Sequence, residues 1–314
     1  MIECYKTING RVLPIPTMES GCWINIVHPT SEELERVVKW TGVEHDFIYA
    51  PLDPEESSRV EIEEDQVMMI VDIPTIEKEK ESEEGAQIFG TLPMGIIILP
   101  EVVVTVCLQD TVVLRSIAEG AVKDIHTALK TRFVFQILLR VAGRFLKNLR
   151  LIERDFTKIE RRLYDSLKNE ELIQLLGLSK SLVYFSASLK GNEVTMEKVL
   201  RGRVLKLYED DRDILEDALI EIRQAIEMSN IYSSILAGTM DAYASVVSNN
   251  LNIIMKVLTV ITIIMTIPNI IFGFYGMNID GNGLPLAAFW WLPVLMAALG
   301  MTGAWLYLKK NNLN

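Results

Sequence analysis

Two apolar runs near the C-terminal end limit the folds open to this chain more than any other feature. Residues 253–275 form a run of 23 with one charge, Lys256, close to its start, and residues 289–308 a run of 20 with none. A hydrocarbon core about 30 Å thick is crossed by about 20 helical residues, so each run reads as a membrane-spanning helix. The stretch between them, 276–288, holds one charge, Asp280. Lys256 opens the first run, and Lys309 and Lys310 follow the second. The bias of Lys and Arg toward the cytoplasmic side puts both ends of the pair inside, 309–314 as a cytosolic tail, and the short loop outside. Trp290, Trp291 and Trp305 near the ends of the second run suit interfacial anchoring, which makes it the outer, lipid-facing helix.

The rest of the chain is strongly acidic. Three of its 31 Lys and Arg and one of its 42 Asp and Glu lie beyond residue 252, so residues 1–252 carry a formal charge of −13 against −11 for the whole. Such a surface is unsuited to the phosphate backbone of a nucleic acid and suited to attracting cations. Residues 1–120 read as a small α/β domain. Strands are expected at 23–27, 67–73, 95–99 and 102–108, all short, apolar and β-branched. Thr30 and Glu33 have capping-box spacing for a helix reaching about Thr41. The charge run 77–84 reads as a solvated hairpin loop. Over 121–252 proline disappears and apolar residues recur at helical spacing, predicting long helices at 121–168, 170–200 and from 204 onward. The last meets no breaker before the membrane and is expected to continue to Tyr275, a helix about 100 Å long that needs partners along its length. Three cysteines (Cys4, Cys22, Cys107) and three histidines (His28, His45, His126) lack zinc-ligand spacing and read as structural. The N-terminus shows no basic segment followed by an apolar run, so the N-terminal part is expected in the cytosol of a cell inner or plasma membrane protein.

The first span has an internal pattern. Its polar and small residues, Thr259, Thr262, Thr266, Asn269, Gly273 and Gly276, recur at spacings of three and four. At about 100° per residue they occupy an arc of roughly 100°, with Asn252 and Met255 on or beside it. A span with one hydrophilic face either packs tightly on another helix or lines water, and an amide with threonines favours water. Two spans cannot enclose a pore, so a water-lined face requires several copies in cyclic symmetry, each contributing its first span. Pro268 cannot donate its backbone hydrogen bond and is expected to bend this helix. No nucleophile–base arrangement, metal cluster or phosphate loop marks an enzyme.

Tyr275-Gly276-Met277-Asn278 closes the first span. There the chain resembles the CorA family of divalent-cation transporters, whose signature is Gly-Met-Asn at the external end of the first of two C-terminal spans. The likeness extends through Ser248-Asn249, Asn252 and Met255-Lys256-Val257-Leu258, and reaches Trp23-Ile24-Asn25-Ile26. It implies an α+β membrane protein with a cytosolic α/β domain, a helical stalk and two spans, assembled as a funnel-shaped homopentamer in the bilayer. It implies Mg2+ as transported ion and as a cytosolic regulator. Its ion-binding mouth maps onto Gly276, Met277 and Asn278, and its pore lining onto Asn252, Met255, Leu258, Thr262, Thr266, Asn269 and Gly273. Where some members carry a methionine constriction this chain has Thr266, which leaves the place of the narrowest apolar ring open, with Leu258 and Met255 as candidates.

Asp210, Asp213, Asp217 and Glu221 share one helix face, a solvated acidic surface or a cation sensor. Asp217 stands where the family places a regulatory carboxylate. The family's partner carboxylate in the α/β domain has no clear equivalent, Asp53 being a nearby candidate, and Asp213 is a further candidate regulatory residue on the same helix face. A basic stripe, Arg140, Arg144, Lys147, Arg150, Arg154, Lys158 and Arg161, is expected to pair with acidic neighbours. The leading expectation is thus a channel for hydrated Mg2+ running down its electrochemical gradient. Cobalt, nickel or zinc transport is the alternative within the class, and a non-conducting membrane sensor or scaffold the alternative outside it.

Overall fold

The computed structural model describes residues 1–77, 88–165, 169–202, 204–205, 208–277 and 289–310. They divide into two compact units, 1–238 and 239–314.

The first unit is built on a seven-stranded sheet: β1 Ile2–Ile8, β2 Arg11–Ile15, β3 Trp23–Val27, β4 Arg59–Glu63, β5 Gln66–Glu77, β6 Ile88–Ile98 and β7 Val103–Cys107. Its order is β2-β1-β3-β7-β6-β5-β4, antiparallel except for the β3–β7 pair. No strand was expected before Trp23, yet β1 and β2 form a hairpin. Its turn is Asn9-Gly10, both at positive φ (51° and 76°), the geometry whose twist matches that of the flanking strands. The strands expected at 67–73 and 95–99 are the inner parts of a longer ladder running from Val67↔Ile98 to Glu77↔Ile88. The charge run 78–84 lies outside the described residues.

Both faces of the sheet are buried, which is why β3, β6 and β7 read as continuous apolar runs. On one face Ile24, Ile26, Met68, Ile70 and Val104 pack beneath α1, Ser31–Thr41, and the short α2, His45–Tyr49. The expected capping box is present: Glu33 N donates to Thr30 Oγ1 (3.3 Å), Thr30 N donates to the Glu33 carboxylate (3.0 Å), and Gly42 ends α1 at φ 67°. The other face carries a buried polar chain, in which Trp23 Nε1 donates to Thr105 Oγ1 (2.8 Å) and that hydroxyl to Asn25 Oδ1 (3.0 Å).

After α3, Val112–Ala118, two long helices cover that second face: α4, Lys130–Asp165, and α5, Asn169–Leu200. The α/β region therefore does not close on itself near residue 120, since without α4 and α5 one side of its sheet would face water. Helix α4 also starts later than expected. Ile125 and Thr127, ahead of it, bond to β1 instead: Thr7 N donates to Thr127 Oγ1 (3.1 Å), Thr127 N to Thr7 Oγ1 (3.0 Å), and Thr7 Oγ1 to the Ile125 carbonyl (3.0 Å).

Helix α5 is long and apolar enough to cross a membrane. It is not a third span. Leu175, Leu178, Leu182, Phe185 and Leu189 are fully buried, and Asn192 clasps the Asp72 backbone through two 2.8 Å bonds, one accepted and one donated. Cys22 and Cys107 are free and buried, and burial pushes both thiols up from their ordinary value.

Helix α6, Glu209–Tyr275, belongs to both units and ends where the sequence places its end. Helix α7, Leu292–Lys310, follows. Among the described residues these two are the long apolar helices left exposed.

Candidate functional site

In the second unit α6 and α7 run antiparallel, with Ile267 meeting Gly300 and the Tyr275 hydroxyl reaching Met296 Sδ (3.9 Å). The shielded side of α6 consists of Val260, Ile264, Ile267, Pro268, Ile271 and Tyr275. Thr259, Thr262, Thr266, Asn269, Gly273 and Gly276 are all exposed. On a helix turning about 100° per residue, the centres of these two sets lie about 180° apart. The polar face thus points directly away from α7. Asn252, Met255 and Leu258 are exposed along the same side.

The three threonines share one geometry. Thr259 Oγ1 donates to the Met255 carbonyl (2.7 Å), Thr262 Oγ1 to the Leu258 carbonyl (2.8 Å) and Thr266 Oγ1 to the Thr262 carbonyl (2.7 Å). Each hydroxyl proton is committed to the helix, so each oxygen turns acceptor lone pairs outward. The water shell of a metal cation offers only O–H donors. A wall of acceptors matches it, and an anion would find no donor on those oxygens.

The glycines of the face have separate roles. A Cβ at Gly273 would meet nothing within 4 Å, so no packing among the described residues requires glycine there. Gly276 is not at positive φ; its N–H continues the ladder to the Phe272 carbonyl (2.8 Å), and a Cβ would lie 3.1 Å from that oxygen. Met277 is exposed beyond it. Asn278 lies outside the described residues.

The carboxylates proposed as a sensor are not gathered by one chain. Asp53 ends a short turn, where its Oδ1 accepts from Glu55 N (3.0 Å). Asp213 and Asp217 stand exposed on α6. Among the described residues no group of three or more His, Cys, Asp or Glu is placed to hold a metal ion. Glu221, expected on the same solvated face, is instead half-buried against α4, where a Cβ on Gly143 would lie 3.2 Å from its Oε2. Burial and the charge of Asp217 raise its carboxyl above the ordinary range, opposed by Arg150. Of the basic stripe, Arg154 (3.5 Å) and Lys158 (3.4 Å) pair with Asp155 on their own helix.

The family model for the CorA-like Mg2+ transporter protein matches residues 19–310. The chain belongs to this family. Among CorA relatives, the cobalt/magnesium transport protein CorA of Methanocaldococcus jannaschii is 29% identical over 298 residues, covering 91% of this chain and 89% of its own length. The cobalt/magnesium transport protein CorA of Thermotoga maritima is 26% identical over 320 residues, covering 95% and 84%. The complete structure of the M. jannaschii CorA magnesium transporter superposes with a TM-score of 0.84 at 25% identity, over 98% of this chain and 97% of that one. This CorA chain therefore has the fold expected of it, an α/β soluble part, a long helix and apolar C-terminal helices.

Proposed function

We propose that this protein conducts hydrated Mg2+ across a cell membrane through a pore that several copies enclose, each contributing the polar face of α6. The observation that carries the reading is the orientation of that face, an acceptor-rich stripe opposite α7 that is left exposed among the described residues. Asn252, Met255, Leu258, Thr262, Thr266, Asn269 and Gly273 line the path, and Gly276, Met277 and Asn278 form its mouth. Five copies is the number that family membership suggests. Both termini lie in the cytoplasm, and Mg2+ is cargo.

Magnesium gives up its water reluctantly, so a neutral oxygen-lined path that hydrogen-bonds to the shell passes the ion without stripping it. Entry into a negative interior supplies about 4.6 kcal/mol per 100 mV for a divalent ion, twice the single-charge value. Cobalt is the second candidate cargo, because both curated relatives are named for cobalt and magnesium together.

The test is uptake into dye-loaded liposomes carrying the purified full chain, with low internal Mg2+ and an inside-negative potential. Uptake of Mg2+ that grows with the potential is expected; cobalt, nickel and zinc run alongside rank the cargo. A folded oligomer passing none of the four would replace this reading with a membrane sensor or scaffold.

Asp217 is proposed to hold cytosolic Mg2+ together with carboxylates supplied by a neighbouring copy, since the described residues of one chain gather no group of three or more such donors. Removing the ion would then leave like charges facing one another and loosen the closed state. Asp217→Asn is expected to raise severalfold the internal Mg2+ concentration that halves the flux. An unchanged value would remove Asp217 from regulation.

A further inference from the structure

Gly300 is a point of close approach between α7 and α6. A Cβ on it would lie 2.7 Å from Ile267 Cγ2, closer than real Cβ atoms come. That methyl cannot swing aside, because it branches directly from Cβ and a β-branched side chain in a helix has one strongly preferred χ1. Any side chain at 300 therefore has to push the two helix backbones apart. Gly303, one turn further along the same helix, has nothing within 4 Å of a Cβ and supplies the contrast.

The place where the push would land matters. Ile267 precedes Pro268, the proline inside α6. Proline has no N–H to give the Ile264 carbonyl, so the backbone hydrogen-bond ladder of α6 is interrupted within a turn of the contact. Ile267 lies on the shielded side, and Asn269, two residues on, lies on the polar face. A displacement of α6 away from α7 at Ile267 therefore carries Asn269 and Thr266 outward along the direction in which the polar face points.

We infer that Gly300 is a positioning residue for conduction: by letting α7 seat directly on Ile267, it sets how far the Thr266–Asn269 stretch projects from the outer helix. It touches no ion. Filling it advances the polar face and narrows the aperture that the copies enclose. The inference rests on the transport reading above for its effect on flux, and on the α6–α7 geometry alone for the displacement.

The experiment compares wild type, Gly300→Ala, Gly303→Ala, Ile267→Ala and the Gly300→Ala/Ile267→Ala double variant in the liposome assay, at matched amounts of oligomer. Gly300→Ala is expected to lower Mg2+ uptake at least fivefold and Gly303→Ala to stay within twofold of wild type. The double variant is expected to return to within twofold of Ile267→Ala, because the clashing methyl is gone. Gly300→Ala behaving like Gly303→Ala, or a double variant as impaired as Gly300→Ala, would overturn the inference.

A second readout needs no flux. With Asn269→Cys in a Cys4→Ser background, Cys22 and Cys107 being buried, the rate of modification by a charged thiol reagent follows the setting of the polar face. Gly300→Ala is expected to slow it at least threefold and the double variant to restore it. An unchanged rate in Gly300→Ala overturns the inference even in a protein that carries no ion. A slowed and restored rate together with zero flux in wild type would reject the transport reading and keep the positioning role.

Discussion

Asn269→Leu is expected to reduce Mg2+ uptake at least tenfold, with the oligomer still assembled and the Asp217-dependent response to internal Mg2+ unaltered in any residual current. Asn269 is the amide of the first span and stands exposed on the face turned away from α7, so leucine there is not forced into a packed site among the described residues. The loss is chemical. In the proposed pore, a carbonyl that accepts from the waters around the ion is replaced by a methyl group that cannot, once in every copy. Each net hydrogen bond is worth about 1 kcal/mol, and about 1.4 kcal/mol is a factor of ten in rate, so two lost contacts at the barrier suffice. A ring of leucines also gives water no partner, and an apolar constriction gates by drying. Asn269→Gln, which keeps the amide, is expected to retain most of the flux. Equal uptake by Asn269→Leu and wild type would place the pore on some other face.

How far the sequence discloses this arrangement depends on the range of the forces involved. The stripe on α6 was legible because it is one helix with a period of about 3.6, and local geometry alone puts Thr262, Thr266, Asn269 and Gly273 together. The capping box at Thr30 and Glu33 was legible for the same reason. The β1–β2 hairpin could have been read from Asn9-Gly10, the dipeptide its turn requires, although Thr7, Asn9 and Arg11 interrupt the apolar pattern that marks strands elsewhere. The late start of α4 could not, because Thr127 leaves the helical pattern for Thr7, 120 positions earlier in the chain. The seat of Gly300 on Ile267 and the turning of Glu221 toward Gly143 are likewise contacts between elements, invisible until the helices are packed. The same holds for the proposed sensor, since no group of three or more such side chains is gathered among the described residues and periodicity says nothing of a second copy.

The other large effect is on stability, and it concerns the helix that composition alone would send into the membrane. Helix α5 stays on the sheet because its apolar side has a fitted surface to meet, and Phe185 is the centre of that fit. It is fully buried, with its ring edge-on to Phe145 of α4 (5.1 Å between centroids) and to Phe89 of β6 (6.0 Å). One side chain thus joins two helices and the sheet. Phe185→Ala removes the ring and leaves a cavity walled by two others, a change that costs about 3–5 kcal/mol. For a unit of this size each kcal/mol lowers the melting midpoint by about 2–4 °C, so a fall on the order of 10 °C is expected. Thermal denaturation of the detergent-solubilised full chain, followed by near-ultraviolet circular dichroism, measures it. Val183→Ala, two residues away and 62% exposed, serves as the control and is expected to shift the midpoint by no more than about 2 °C. Partial release of α5 in the Phe185 variant would expose a helix long and apolar enough to enter lipid, so aggregation on reconstitution should accompany the lowered midpoint. If Phe185→Ala melts with wild type, the three-way packing of α4, α5 and β6 is not what keeps α5 out of the bilayer, and the polar clasp of Asn192 on Asp72 would have to carry that role.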